Sequence, residues 1–246
     1  MRYKLICCEV FLREACYCIA GSPHTVDPVF TPKEAHNKPA CLKEQLQEMI
    51  EEAEKAGIYD AVLLGFGLCG NGIVGLKSTS VPLVIPRAHD CCTILLGSRE
   101  KFLRYFGDKL SAEWSSAGYM ERGGSFTRLT DTNHIPGLDM EYEELLKKYG
   151  EENARYIWET LHPKKDLSEL IYIDIPETSN PAYIELLKNE ADKTDKKLRV
   201  LPGEIGMIQS LIWGNWDERE FLIVPPGHAV KGVYDQEEVI TLHKPL

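Results

Sequence analysis

Long hydrophobic runs are missing from this chain. Nothing in its 246 residues approaches the roughly 18 consecutive apolar positions of a membrane-spanning helix, so no membrane partner is expected. The apolar part of the opening "MRYKLICCEVF" is interrupted by Glu9 and is too short for a secretory leader. A cytoplasmic location is the expectation. Positive charge is scarce as well: 28 Lys and Arg stand against 38 Asp and Glu, a formal net charge of −10. That balance gives no general affinity for nucleic acid, and no nucleic-acid partner is expected. There is also no C-x-x-C, which removes both the thioredoxin motif and the zinc ribbon.

Cysteine itself is plentiful. Eight are present, at positions 7, 8, 16, 18, 41, 69, 91 and 92. In a reducing cytosol they do not make a disulfide framework, and a chain of this length buries enough surface to fold without staples. Small buried packing residues account for some of them. The informative ones are those placed where chemistry happens.

The hydrophobic pattern is that of an α/β protein with mainly parallel sheets and helices on both faces. Strands are expected at 3–11 (YKLICCEVF), at "HTVDPVFTP", and at the fully apolar 60–66 (DAVLLGF) and 81–86 (VPLVIP). A short helix is expected at about 11–19. A longer one starts near Lys38, with Leu42, Leu46, Met49, Ile50 and Ala53 at helical spacing and Gly57 as its C-cap. Another helix is expected from about Cys91 to Phe106. Further on come helices over about 139–162, then strand 169–176, a helix on "PAYIELLKNEADKT", strand 197–202, a helix on "GEIGMIQSLIWG" and strand 220–227. The segments "LVIPRAHDCCTILLGS" (83–98) and "RVLPGEIGMIQSLIWGN" (199–215) both run strand, Pro, loop, helix, Gly, which suggests two similar α/β lobes. The expected division is an N-terminal lobe at 1–110 carrying a Cys/His cluster, a connecting functional loop at 111–138 and a C-terminal lobe at 139–246.

Within "GFGLCGNG" (65–72) the chain spells G-x-G-x-x-G. A dinucleotide turn needs a full helix directly after its glycines, and only "NGIVGLKSTS" separates Gly70 from the next strand. The loop reads instead as a tight turn presenting Cys69, with Gly67, Gly70, Asn71 and Gly72 as backbone that can approach a bound group. The following loop, "PRAHDCC" (86–92), leaves a strand at its C-terminal end. His89 and Cys91 share a side there, and Asp90 is the expected N-cap of a helix whose first turn favours a Cys91 thiolate. Strand ends of a parallel sheet gather on one edge, so Cys8, Cys69, His89 and Cys91 are expected to converge. His36 is a further candidate ligand. Such a set suits zinc or an iron–sulfur cluster, a metal-free reactive thiol, or plain packing, and spacing alone does not choose among them. If the site is catalytic, Arg87 would orient an anionic group of a small-molecule substrate, and Asp90 or His89 would move a proton.

Taken together, Cys8, "HNKP" (36–39), "GFGLCGNG" (65–72), "PRAHDC" (86–91) with "LLGS" (95–98), and "FLIVPPG" (221–227) resemble the bacterial and archaeal family called domain of unknown function 1638. The resemblance carries no settled activity. Its members are often encoded beside corrinoid-dependent methyltransferases. That implies a role, as enzyme or accessory, in one-carbon metabolism, with a corrinoid supplied through a partner protein. A non-catalytic role in binding or delivering a metal or corrinoid is the alternative. The doubled cysteines, Cys7-Cys8 and Cys91-Cys92, leave open which member of each pair serves the site.

Overall fold

The computed structural model describes residues 1–33, 39–106, 113–123, 127–128, 143, 146–147, 151, 169–233 and 238–243. Strand β1 (Arg2–Cys8) leads into helix α1 (Leu12–Ala20), β2 (Thr25–Thr31) and the long helix α2 (Pro39–Ala56). Gly57 ends α2 at φ +63°, the left-handed conformation that glycine adopts without a Cβ clash. Next come β3 (Ala61–Gly65), β4 (Leu83–Pro86), α3 (Cys91–Leu96) and α4 (Arg99–Phe106). The single helix expected over Cys91–Phe106 is thus two, broken where Gly97 takes φ +83°.

Then follow β5 (Glu113–Ser116), α5 (Ala117–Glu121), β6 (Thr127–Arg128), β7 (Glu169–Asp174), α6 (Pro181–Lys193), β8 (Lys197–Pro202) and α7 (Gly206–Trp213). The last described strands are β9 (Phe221–Val224), β10 (Ala229–Gly232) and β11 (Ile240–His243). The helices expected over about 139–162 fall almost wholly outside the described residues.

The fold is α/β with mainly parallel sheets. A five-stranded sheet has the order β2-β1-β3-β4-β9, parallel except for β9 at its edge. A four-stranded sheet has the order β6-β5-β7-β8, parallel except for β6. Strands β10 and β11 form an antiparallel pair. The sheets divide the chain differently from the expected spans. Glu113–Ser116, assigned to the connecting loop, is a strand of the four-stranded sheet, and Phe221–Val224 returns to the five-stranded one. Weak periodicity hid β5, because in "EWSS" only Trp114 is a large apolar residue; it is fully buried.

Strands β3 and β4 are buried along their whole length, as a sheet covered on both faces requires. Helix α7 crosses β3 and β4 and pairs with α1, while α2 packs on β1. Alternation along β1 sends Tyr3 to His24 and Trp216, beside the end of α7. Residues of even number point to the other face.

The second sheet meets the first through the loops that follow its strands. After β5, a side chain on Gly118 would collide with the Val10 carbonyl just beyond β1. After β7, Thr178 Oγ1 donates to Glu14 Oε1 of α1 at 2.6 Å. After β8, Glu204 N donates to Leu95 O of α3 at 2.9 Å. The loops at the C-terminal strand ends of the two sheets therefore pack against each other.

Candidate functional site

The chain runs from β1 out to β2 on one side, then crosses back to β3 on the other. That reversal is a topological switch point, where the loops after neighbouring strands diverge and leave a cleft. Cys8 ends β1 and Cys69 follows β3, so the two flank it. Cys91 opens α3 after the adjacent β4.

These three thiols form one electrostatic group. Burial pushes the Cys69 thiol up, and Cys8 and then Asp90 push it further, although the Gly67 amide bonded to it pulls down. Burial also pushes Cys91 well up, with Cys69, Asp90 and Cys8 adding to the rise and a hydrogen bond from Tyr119 opposing it. The thiolate expected from the helix dipole at Cys91 is corrected: the site is dry, α3 is only 6 residues long, and the Asp90 carboxyl sits at its start.

The same effects separate the members of each cysteine pair. Burial pushes the Cys7 thiol well up, with Cys8, Glu14 and Cys16 adding to it, and its sulfur, on the other face of β1, donates to Gly65 O at 3.7 Å. Burial also pushes Cys92 well up, with Asp90 and Cys91 adding to it. Cys8 and Cys91 are the members that share a neighbourhood with Cys69.

Cys69 is held at φ +45°, a left-handed conformation that a side chain adopts at a cost of about 1 kcal/mol or more. Asn71 follows at φ +71°. The glycines do a different job from the one their type suggests. A Cβ on Gly67 would stand 2.7 Å from the Asp90 backbone, and one on Gly72 would stand 2.8 Å from Leu42 Cδ2. They let the loop pack against its neighbours. The amides of Leu68 and Cys69 donate to Ala88 O at 2.8 Å and His89 O at 3.0 Å, so this stretch of backbone is zipped to the 86–90 loop and does not face a ligand. Gly70 lies in the 3-10 turn Cys69–Asn71, and no α-helix separates β3 from β4 to hold a pyrophosphate.

Asp90 is completely buried and caps α3 as expected. Its Oδ1 accepts from Thr93 N at 2.9 Å and Thr93 Oγ1 at 3.1 Å. Its Oδ2 has no hydrogen-bond partner among the described residues. Desolvation outweighs the capping bonds and raises the carboxyl to about 6, within reach of proton exchange near neutrality.

Tyr119 was hidden from sequence reasoning in the expected connecting loop. Its hydroxyl lies 2.8 Å from Cys91 Sγ, and its ring meets Trp114 edge-on at 4.8 Å. Burial drives the phenol well up, with Cys91, Cys8 and Cys69 adding to it. Beside the site, Thr31 is the register partner of Cys8, and its buried Oγ1 has no hydrogen-bond partner among the described residues.

The remaining expected residues lie differently. Arg87 donates from Nε to Glu218 O at 2.9 Å and from Nη1 to Glu238 O at 3.0 Å and to Ile240 O. Its guanidinium ties the C-terminal segments to β4, a scaffold role in place of anion orientation. His89 is half-buried, its ring 6.5 Å from that of Phe102. His36 lies outside the described residues. Among the described residues, no three His, Cys, Asp or Glu side chains are grouped so as to hold one ion.

Fold and site together define an α/β protein with two facing, mainly parallel sheets and a buried cysteine group at a switch point. A family model described as a protein of unknown function, DUF1638, matches residues 30–212, and the chain belongs to that family. Cys69, Asp90, Cys91 and Tyr119 fall inside the matched span; Cys8 precedes it. Neither a curated protein nor a solved structure matches the chain. No helix among the described residues is long and apolar enough to cross a membrane.

Proposed function

We propose that Cys8, Cys69 and Cys91 draw together on a thiophilic metal, zinc or an iron–sulfur cluster, between the strand ends of the two sheets; in the structure they are near enough to affect one another but are not arranged to hold one ion. The observation that supports this reading is the placement of three buried cysteines at the end of β1, after β3 and at the start of α3 after β4, with Cys8 acting on the ionisation of Cys69 and both acting on Cys91. Packing alone needs no such gathering of polarisable groups, and it gives no reason to hold Cys69 in a left-handed conformation. In a dry site the thiols remain protonated, and metal binding supplies the charge that ionises them. Tyr119 would hydrogen-bond the Cys91 sulfur, and Asp90 would take up one of the three protons released, the other two leaving to solvent buffer.

A metal-bound thiolate is a nucleophile, and an open metal position accepts a substrate donor. Methyl transfer linked to a corrinoid protein, as the family resemblance implies, uses both properties. The chain would act there as enzyme or as accessory.

Metal and sulfide analysis of anaerobically purified protein, with an optical spectrum, tests the reading. Iron with sulfide and a brown colour identifies a cluster. A colourless protein with one zinc per chain identifies a mononuclear site. A metal-free protein that is active only while Cys69 is unalkylated contradicts the metal and establishes a cysteine enzyme.

A further inference from the structure

The rim of the cysteine site is charged, and its charges are only partly matched. Glu9 follows Cys8 directly. Its Oε1 accepts from the Lys33 backbone amide at 2.8 Å, and its Oε2 lies 3.3 Å from Arg122 Nε. Both side chains of that pair are 25% exposed, while Cys8, next to Glu9 in the chain, is buried. Arg122 lies three residues beyond Tyr119, at the end of α5. The Lys33 ammonium sits 5.7 Å from the centre of the Tyr119 ring, the same ring whose hydroxyl contacts Cys91. Among the described residues, no carboxylate pairs with the Lys33 ammonium, and the terminal nitrogens of Arg122 make no hydrogen bond. Two cations and one carboxylate therefore lie beside Cys8 and Tyr119, leaving a local excess of one positive charge on a protein whose net charge is −10.

We infer that Lys33 and Arg122 form an anion clamp beside the cysteine site. The ligand reaching the thiols carries a carboxylate, sulfonate or phosphate group. The clamp fits the chemistry of such a group. Arg122 keeps a planar fork of N–H donors for two oxygens, and Lys33 supplies a compact charge backed by an aromatic face. Local positive potential in an acidic protein also concentrates anions at this patch. Deeper in, the hydroxyl of Thr31 beside Cys8 is a buried donor that has no partner among the described residues. A ligand anchored by its anion at the rim extends its other end past Tyr119 toward the three sulfurs. The inference rests on the proposed reading that this cysteine group is the functional site, but it does not depend on which metal the thiols hold.

The test is equilibrium binding of inorganic sulfate, inorganic phosphate and acetate to the full chain, with ionic strength fixed by chloride. Metal content and melting temperature are measured on the same samples. Saturable binding of one anion per chain is expected. The order of the three probes tells a tetrahedral group from a planar one. Lys33→Gln and Arg122→Gln should each weaken binding about tenfold, the loss of one charge-assisted contact. Glu9→Gln should tighten binding, because it removes the competing carboxylate. Melting temperature and metal content should stay at wild-type values in all three variants, which separates failure of the clamp from failure of the metal reading. Absence of saturable binding would overturn the inference. So would binding that is unchanged in the Lys33→Gln Arg122→Gln double variant.

Discussion

The two ends of β4 treat a carboxylate in opposite ways, one half-exposed and the other buried. Before the strand, Glu54 of α2 reaches the loop at 78–80 and accepts from Ser78 Oγ, Thr79 N, Thr79 Oγ1, Ser80 N and Ser80 Oγ, all within 2.6–3.0 Å. Burial works to raise this carboxyl, but the hydrogen bonds from Ser78, Ser80 and Thr79 win and hold it down at about 2. After the strand, Asp90 has one oxygen capped and the other without a partner among the described residues, and burial wins, at about 6. The first loop is stitched for stability. The second retains an unfavourable group where the strand ends gather, and such groups are kept where a ligand or a reaction uses them. The contrast is the one expected if the proposed site lies at the Asp90 end of the sheet.

The largest effect should come from Asp90→Asn. The Asn oxygen can still cap α3, but nothing has to be ionised in the dry site. A carboxyl raised to about 6 binds its proton more tightly in the folded state than in the unfolded chain. Wild-type stability therefore falls, from this group, as pH rises from the unfolded pKa near ~4 through the folded value near ~6. The variant should gain on wild type across that window, by up to about 3 kcal/mol at neutral pH, when both are unfolded in urea at a series of pH values. A difference that does not change with pH would remove the distinction drawn for Asp90.

Next comes Glu54→Ala, which strips the opposite loop of its acceptor. A loss of about 2 kcal/mol is expected, because solvent near this half-exposed loop replaces part of what the carboxylate gave. Here the sign is reversed. A depressed carboxyl gives stability above its unfolded pKa and loses it as pH falls toward about 2, so the penalty of the variant should shrink in acid. Urea midpoints at neutral and acidic pH check this, and an equal penalty at both would contradict it. The smallest effect is that of Tyr119→Phe. Removing the hydroxyl from Cys91 should cost about 1 kcal/mol, seen as a small drop in melting temperature, and should make the Cys91 thiol harder to ionise.

Much of this contrast was legible in the residues. The apolar runs "AVLL" and "LVI" marked buried parallel strands, and the strand-end rule brought Cys8, Cys69 and Cys91 to one edge. Asp90 was readable as a cap from its type and place alone. What escaped depended on contacts between segments distant in sequence. The choice of Cys8 over Cys7 depends on the parity of β1, which needs the register of the sheet. Tyr119 lay in a stretch without periodicity, where a four-residue strand leaves no pattern to read. Arg87 looked free because carbonyl partners leave no mark on a sequence, and its partners lie more than 130 residues away. The glycines of "GFGLCGNG" were expected to approach a bound group; in the fold Gly67 approaches Asp90 and Gly72 approaches Leu42, neighbours that no local motif could name.

The central claim is that three thiols gathered at the C-terminal strand ends of the first sheet hold a metal, and it is tested most directly by the pair Cys69→Ser and Cys7→Ser. Both are prepared without oxygen beside wild type, and metal stoichiometry is measured with melting temperature. Serine is nearly isosteric with cysteine but a poor ligand for a thiophilic ion. The account predicts that Cys69→Ser folds and loses most of its metal, while Cys7→Ser, on the opposite face of β1, keeps its full complement. Full metal occupancy in Cys69→Ser, or equal loss in both variants, would contradict it.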